Sequence, residues 1–197
     1  MKKVSIAIIT IACVLLICGA FYLLTQNQSG NQEKELTEIE KVLVKDLEKD
    51  YPKTPREVVK YYNRIVSCYY DRETSVDQLG KLVDQMMCLM DEDLLLINPR
   101  DEYFNTVVAD VEMYKQQKKY IVNTTVCDSN DVVYFKDPKG NPDKPDEMAC
   151  VAVTYFVKKD GKFSNTHQEF ILRKDDEGRW KMLVFYAVEG DTSEEDE

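Results

Sequence analysis

Histidine is almost missing from this sequence: His167 is the only one in 197 residues. No cysteine belongs to a CxxC pair and none has a histidine beside it, so the usual thiolate and imidazole zinc sites are excluded. There is no glycine-rich phosphate loop and no nucleophile elbow, which removes the common nucleotide-binding and serine-hydrolase signatures. No internal repeat is present. Excess positive charge is lacking too. The chain has 26 basic and 36 acidic residues, and setting aside Lys2 and Lys3 leaves 24 against 36. A domain of that charge is repelled by phosphate backbones, so nucleic acid is not an expected partner.

What the sequence does contain begins with an apolar run. Val4 to Leu24 is 21 residues without a charge, long enough as a helix to cross roughly 31 Å, the hydrocarbon core of a bilayer. Lys2 and Lys3 precede it, and the next charge is Glu33. By the positive-inside rule the N-terminus is cytoplasmic, and everything after Thr25 lies outside. Phe21 and Tyr22 fall at the headgroup level of the outer end. A cleaved signal peptide is the competing reading, with Cys18-Gly19-Ala20 as a tolerable cleavage site, but the apolar stretch is long for one. The residues before Cys13 and Cys18 do not fit a lipoprotein signal. The expected location is therefore the cell membrane, single-pass, with lipid as partner through residues 4–24. Four segments follow from this: residues 1–24 as cytoplasmic stub and membrane helix, 25–53 as polar spacer plus amphipathic helix, 54–188 as a folded domain, and 189–197 as an acidic tail.

Within 25–53, Leu36, Ile39, Leu43 and Leu47 recur at helical spacing and predict about four turns, ended by Pro52 and Pro55. Thr54-Pro55-Arg56-Glu57 reads as a capped helix start with proline in the first turn. Val58, Tyr62, Ile65, Val66 and Tyr69 form its buried stripe. A second helix begins near Ser75 and buries Leu79, Leu82, Val83, Met86 and Met90. A third starts at Asn98-Pro99-Arg100-Asp101 and turns Phe104, Val107, Val108, Val111 and Tyr114 inward. After Lys119 the period changes to two. Tyr120–Cys127 and Asp131–Phe135 are β-rich, the proline-bearing stretch 137–147 reads as a loop, and Met148–Lys158, Thr166–Arg173 and Arg179–Val188 form an antiparallel meander. Helices first and strands after is the α+β order.

Thr54-Pro55-Arg56-Glu57-Val58-Val59 at the first helix, the helix–helix–helix–strand order, and the closing hairpin Phe170-Ile171-Leu172-Arg173-Lys174 … Gly178-Arg179-Trp180-Lys181-Met182 together resemble the NTF2-like (cystatin-like α+β) superfamily. The resemblance covers Thr54 to Ala187. It implies about three helices packed into the hollow of a curved antiparallel sheet. The anchored arrangement resembles that of uncharacterised membrane proteins of Gram-positive bacteria, which implies an extracytoplasmic compartment and no activity. Enzymes of the superfamily work from the cone between helices and sheet with an Asp or His base, and no such set can be placed on numbered positions here. Fold alone lends no chemistry.

Candidate ligand-binding residues are Tyr62, Tyr69, Tyr155, His167 and Tyr186, since a phenol offers one apolar face and one hydrogen-bonding tip. The stripe to which Tyr62 and Tyr69 belong reads equally as core. His167 shares a strand face with Glu169 and Ile171. Met86, Met87, Met90 and Cys88 read as core rather than as a soft-metal site. Asp137, Asn141, Asp143, Asp146 and Glu147 are oxygen-rich, but Lys139 and Pro142 break the pattern of a calcium loop. Asp91-Glu92-Asp93 reads as a solvated helix end. Cys68, Cys88, Cys127 and Cys150 are extracytoplasmic on this topology and allow two disulfides with three pairings, or buried free thiols. No catalytic residue, metal or cofactor is implied.

The function expected from these features is non-enzymatic binding of a small ligand or an envelope protein by an anchored domain. An isomerase- or dehydratase-type enzyme and a structural subunit of an envelope complex are the alternatives. A reporter fused after Glu197 will be active only outside the cytoplasm, and a cytoplasmic signal would overturn the topology.

Overall fold

The computed structural model describes residues 36–188 apart from 142 and 143. The expected membrane span, polar spacer and acidic tail, and part of the 137–147 stretch, lie outside the described residues. Among the described residues no helix is long and apolar enough to cross a membrane.

Among the described residues five helices precede five strands: α1 Glu38–Leu43, α2 Pro55–Tyr69, α3 Val76–Met87, α4 Glu92–Ile97 and α5 Arg100–Gln116, then β1 Lys119–Val126, β2 Val133–Asn141, β3 Lys144–Lys159, β4 Lys162–Lys174 and β5 Trp180–Val188. Local chemistry accounts for most boundaries. Thr54 and Ser75 each close a reciprocal capping box, with Glu57 and Gln78 respectively, satisfying two orphan amides at each start. Asp160 and Gly161 both sit at positive φ, which is the two-residue primed turn whose twist suits the β3–β4 hairpin.

The sheet is antiparallel, in the order β1-β3-β4-β5. β1 and β2 share one edge of β3: β1 pairs with Val153–Lys159, and β2 with Lys144, Asp146–Cys150. They run end to end, separated by a short 3-10 turn at Ser129–Asp131. On the helix-facing side lie Ala149, Val151, Val153, Tyr155 and Val157 of β3 with Phe170 and Leu172 of β4, all buried. Onto them α2 lays Val58, Val59, Tyr62, Ile65 and Tyr69, also buried. One hydrogen bond ties the helix to the sheet, and a second within α2 orients the side chain that makes it. Asn63, itself buried, donates to Val59 O (2.9 Å) and accepts from the Tyr155 hydroxyl (2.7 Å). Phe170 meets Tyr62 edge-on at 5.0 Å and stacks on Phe185 at 5.5 Å, geometries worth about 0.5–1.5 kcal/mol each beyond area burial.

Four expectations from the pattern need correction. The helix expected from Leu36 to about Lys49 ends at Leu43. The Asp46 carboxylate accepts from the amides of Glu48 and Lys49, so a local side-chain turn outcompetes the helical ladder. The segment still packs on the domain: Ile39, Val42 and Leu47 are buried, and the Tyr61 hydroxyl donates to Val42 O (3.0 Å). The 137–147 stretch is not simply a loop, because β2 and β3 continue through the pairs Asp137↔Asp146 and Asn141↔Lys144. Pro138 falls where the register slips, on a strand that pairs only with β3 among the described residues, and edge strands and bulges are where a proline is tolerated in a sheet. A fourth helical segment, α4, was hidden because six residues are too few for a periodicity.

Asp91 is the last correction. It is no solvated helix end: it is 3 % exposed, caps α4 by accepting from the Asp93 amide, and is held by the Arg173 guanidinium through Nε (3.0 Å) and a second, shorter contact. Arg173 also reaches Asp93 (2.7 Å). Next to this pair, the Asp91 amide donates to Met182 O and the Met182 amide to Leu89 O, both 2.8 Å, so Leu89–Asp91 covers one end of the β5 edge. Asp91→Ala removes the cap and leaves a guanidinium without its buried partner, which will cost about 3 kcal/mol. Urea unfolding measures it, and a loss under about 0.5 kcal/mol, the size of an exposed pair, would mean the pair contributes little.

Candidate functional site

At the far end from Arg173, α2, α5 and the sheet enclose a cavity of about 340 Å³. α2 contributes Tyr62, Val66, Tyr69 and Tyr70 to its wall, and α5 contributes Tyr103, Thr106, Val107, Asp110 and Tyr114. The sheet supplies Tyr155 and Val157 from β3, Thr166 and Gln168 from β4, and Phe185 from β5. Two bulges place these strand residues: the register slips between Ile121 and Asn123 against β3, and between Ile171 and Leu172 against β5. The second slip brings Phe185 opposite Phe170 on the helix-facing side.

The chemistry of the wall is phenolic. Burial pushes the Tyr62, Tyr69, Tyr70 and Tyr155 hydroxyls well above the ordinary tyrosine value, and pushes Tyr103 up to about 12. At neutral pH these are uncharged groups able to donate and accept. The single carboxylate on the wall is Asp110, which accepts a very short hydrogen bond from the Tyr70 hydroxyl. Tyr70 in turn stacks on Tyr114, centroids 4.2 Å apart and 23° between planes.

Three of the five tyrosine and histidine candidates meet here, namely Tyr62, Tyr69 and Tyr155. His167 and Tyr186 do not. Strand alternation places His167 on the opposite face, its Nδ1 3.0 Å from the Thr154 hydroxyl oxygen. Tyr186 is 46 % exposed and donates to Glu169 (2.7 Å) on that same outer face. Asp110, Tyr103 and Tyr114 join the site without being among the candidates that the sequence offers. Their signal was readable in the spacing of 103, 107, 110 and 114, which is one face of a helix carrying polar groups where a plain core stripe would be apolar.

The remaining candidates fall elsewhere. Met86 and Met90 are buried core. Asp146 and Glu147 face cations, Arg173 at 3.8 Å and Lys174 at 2.7 Å. Cys68, Cys88, Cys127 and Cys150 all stand as free thiols. Burial raises Cys68 and Cys150 to about 11, which keeps both protonated and poorly nucleophilic.

The phenols make alkaline pH a test of the cavity wall. Unfolded tyrosines ionise near 10, whereas those of the wall resist ionisation until higher pH because of burial. Their contribution to stability is therefore complete below about pH 10 and is lost as pH rises through about 12. Urea midpoints will be flat from neutral pH to the onset of tyrosine ionisation and fall steeply beyond it, with tyrosinate absorbance rising in step with unfolding. Absorbance that rises fully before unfolding would show the phenols to be accessible.

A search among curated proteins returned no match. A family profile described as "Domain of unknown function (DUF6715)" matches residues 1–185, taking in the apolar run as well as the helices and nearly all of the sheet. The chain therefore belongs to the DUF6715 family.

Proposed function

We propose that this protein is a single-pass membrane protein whose extracytoplasmic NTF2-like domain binds a small ligand in the tyrosine-walled cavity without transforming it. The observation that carries the reading is the wall itself. Six tyrosine phenols, two side-chain groups from Thr166 and Gln168, and apolar Val66, Val107, Val157 and Phe185 surround about 340 Å³ of space. Such a wall suits a largely apolar molecule with a few hydrogen-bonding groups. Buried phenols lose little entropy on binding because each has few rotatable bonds. The order of helices before a meander and the packing of α2 and α5 over one sheet face support the NTF2-like assignment, and the uncharged run Val4–Leu24 supports the anchor.

An isomerase- or dehydratase-type enzyme is the second reading, and Asp110 is the observation that favours it, because a carboxylate on a cavity wall is what a general base requires. Against it, Asp110 already accepts from Tyr70, and the only histidine lies on the other side of the sheet.

The neutral fluorescent probe N-phenyl-1-naphthylamine tests the cavity. Wild-type protein will bind it with enhanced emission. Thr166→Trp places an indole in the space from an exposed strand position and will abolish the enhancement while leaving the thermal midpoint within a few degrees of wild type. Undiminished emission with a folded Thr166→Trp variant would show that the cavity is not the binding site.

A further inference from the structure

Behind the Tyr70–Tyr114 stack lies a second hollow, of about 560 Å³, which shares those two rings with the tyrosine cavity as a common wall. Its lining is of a different kind. Arg72 follows the end of α2, Lys115 comes from the last turn of α5, Lys118 from the turn beyond it and Lys119 from the start of β1. Four cations face one space in a chain where acidic residues outnumber basic ones by 36 to 26.

Some other cations of this domain have carboxylate partners, such as Lys81 with Asp77, Arg64 with Glu38 and Arg100 with Asp84, and others, such as Lys60 and Lys159, make no ion pair among the described residues. In the hollow, Arg72, Lys115 and Lys118 make no ion pair and no side-chain hydrogen bond among the described residues. Lys119 lies over the Tyr114 ring, 4.5 Å from its centroid. The carboxylates of Asp71, Glu73 and Glu112 sit on the same segments, yet none of them lines the space. Asp110 is on the other side of the tyrosine stack.

The backbone concentrates the charge. Lys118 has φ of 47°, the left-handed conformation that glycine adopts without strain and a lysine adopts only at a cost. That single residue turns the chain from α5 into β1 and so brings Lys115, Lys118 and Lys119 round one opening. A helix end by itself explains a lysine near the last carbonyls. It does not explain an arginine from a different helix, nor the aromatic floor. Tyr114, Tyr120 and Val111 supply that floor, and a flat or apolar group could lie on it.

We propose that this hollow is a binding site for a small molecule that carries a phosphate or carboxylate next to a flat or apolar portion. The anion sits among Arg72, Lys115, Lys118 and Lys119, and the apolar portion lies on Tyr114 and Tyr120. Two such contacts at once distinguish the site from a patch of surface lysines, which would take an anion of any shape. The site does not depend on the tyrosine cavity being occupied, since the two spaces share only a wall.

Phenyl phosphate is the probe, titrated calorimetrically into the full-length wild-type protein in detergent, with inorganic phosphate and benzyl alcohol as the head alone and the ring alone. Phenyl phosphate will bind roughly tenfold or more tightly than either fragment, and its affinity will fall as salt is raised. The variant combining Lys115→Glu, Lys118→Glu and Lys119→Glu will lose at least about tenfold. Arg72→Gln, a single exposed change that leaves the helix end intact, will lose severalfold and covers the case in which the triple variant does not fold. Thr166→Trp will leave phenyl phosphate binding unchanged, which separates this site from the cavity. Phosphatidylglycerol vesicles, added as competitor, assign the anion to a lipid headgroup if they displace the probe and to a soluble molecule if they do not. Equal affinity for phenyl phosphate and benzyl alcohol, or full affinity in Arg72→Gln, or loss of affinity in Thr166→Trp, would overturn the proposal.

Discussion

Burial of the helix-facing side of β3 and β4 beneath α2 is the contact on which the rest of this domain depends. Val151, Val153 and Phe170 are wholly buried or nearly so, and Val58, Val59 and Ile65 meet them with no exposure at all. Side chains packed that closely leave few arrangements, because interiors fill space as crystals do and any shift opens a void or a clash. The Asn63–Tyr155 hydrogen bond then selects one register of helix on sheet, since a buried amide or phenol without a partner is costly. Everything else is placed relative to this contact. α3 packs against α2, α5 against α3 and β1, and the short α4 against β5.

The two ends of the interface solve different problems. At one end, the Leu89–Asp91 backbone hydrogen-bonds to β5 and the Asp91 carboxylate meets Arg173, so that the chain passing from α3 to α4 is tied down by a polar, largely buried lock. The other end has no such lock. There α2 and α5 present tyrosines alongside Val66 and Val107. A phenol cannot interdigitate as leucine does, and its hydroxyl needs a partner, so space remains. The cavity and the basic hollow behind it both follow from that choice of side chain. Tyr70 and Tyr114, stacked on each other, divide the two.

Much of the local structure was legible in the sequence. The capping boxes at Thr54 and Ser75 follow from residue types at a spacing of three, and the stripe Leu79, Leu82, Val83, Met86 and Met90 follows from helical geometry. The Asp160-Gly161 turn is equally local. Failures came where a competing interaction lay outside the periodicity. Asp46 stops α1 with a side-chain turn that a hydrophobic pattern cannot register. Asp91 looked solvated because its partner, Arg173, is 82 residues away. Pro138 argued for a loop because a proline's tolerance in a strand depends on which edge is free.

The site divides along the same line. Sequence alone determined that tyrosines were abundant and clustered, that Tyr62, Tyr69 and Tyr155 fell on elements with buried faces, that the chain was acidic, and that its single histidine shared a strand face with Glu169. Those are properties of composition and of periods of 3.6 and 2, which act within a few residues. Tertiary structure alone decided which tyrosines face one another, that Asp110 belongs with Tyr70, and that Tyr186 and His167 belong to the opposite side of the sheet. It also decided that Arg72, from the end of one helix, should meet Lys115, Lys118 and Lys119 at the end of another. The reason is physical. A helix or strand sets which face a residue occupies, but which faces meet is set by the packing of elements far apart in the chain, and that depends on the whole core at once.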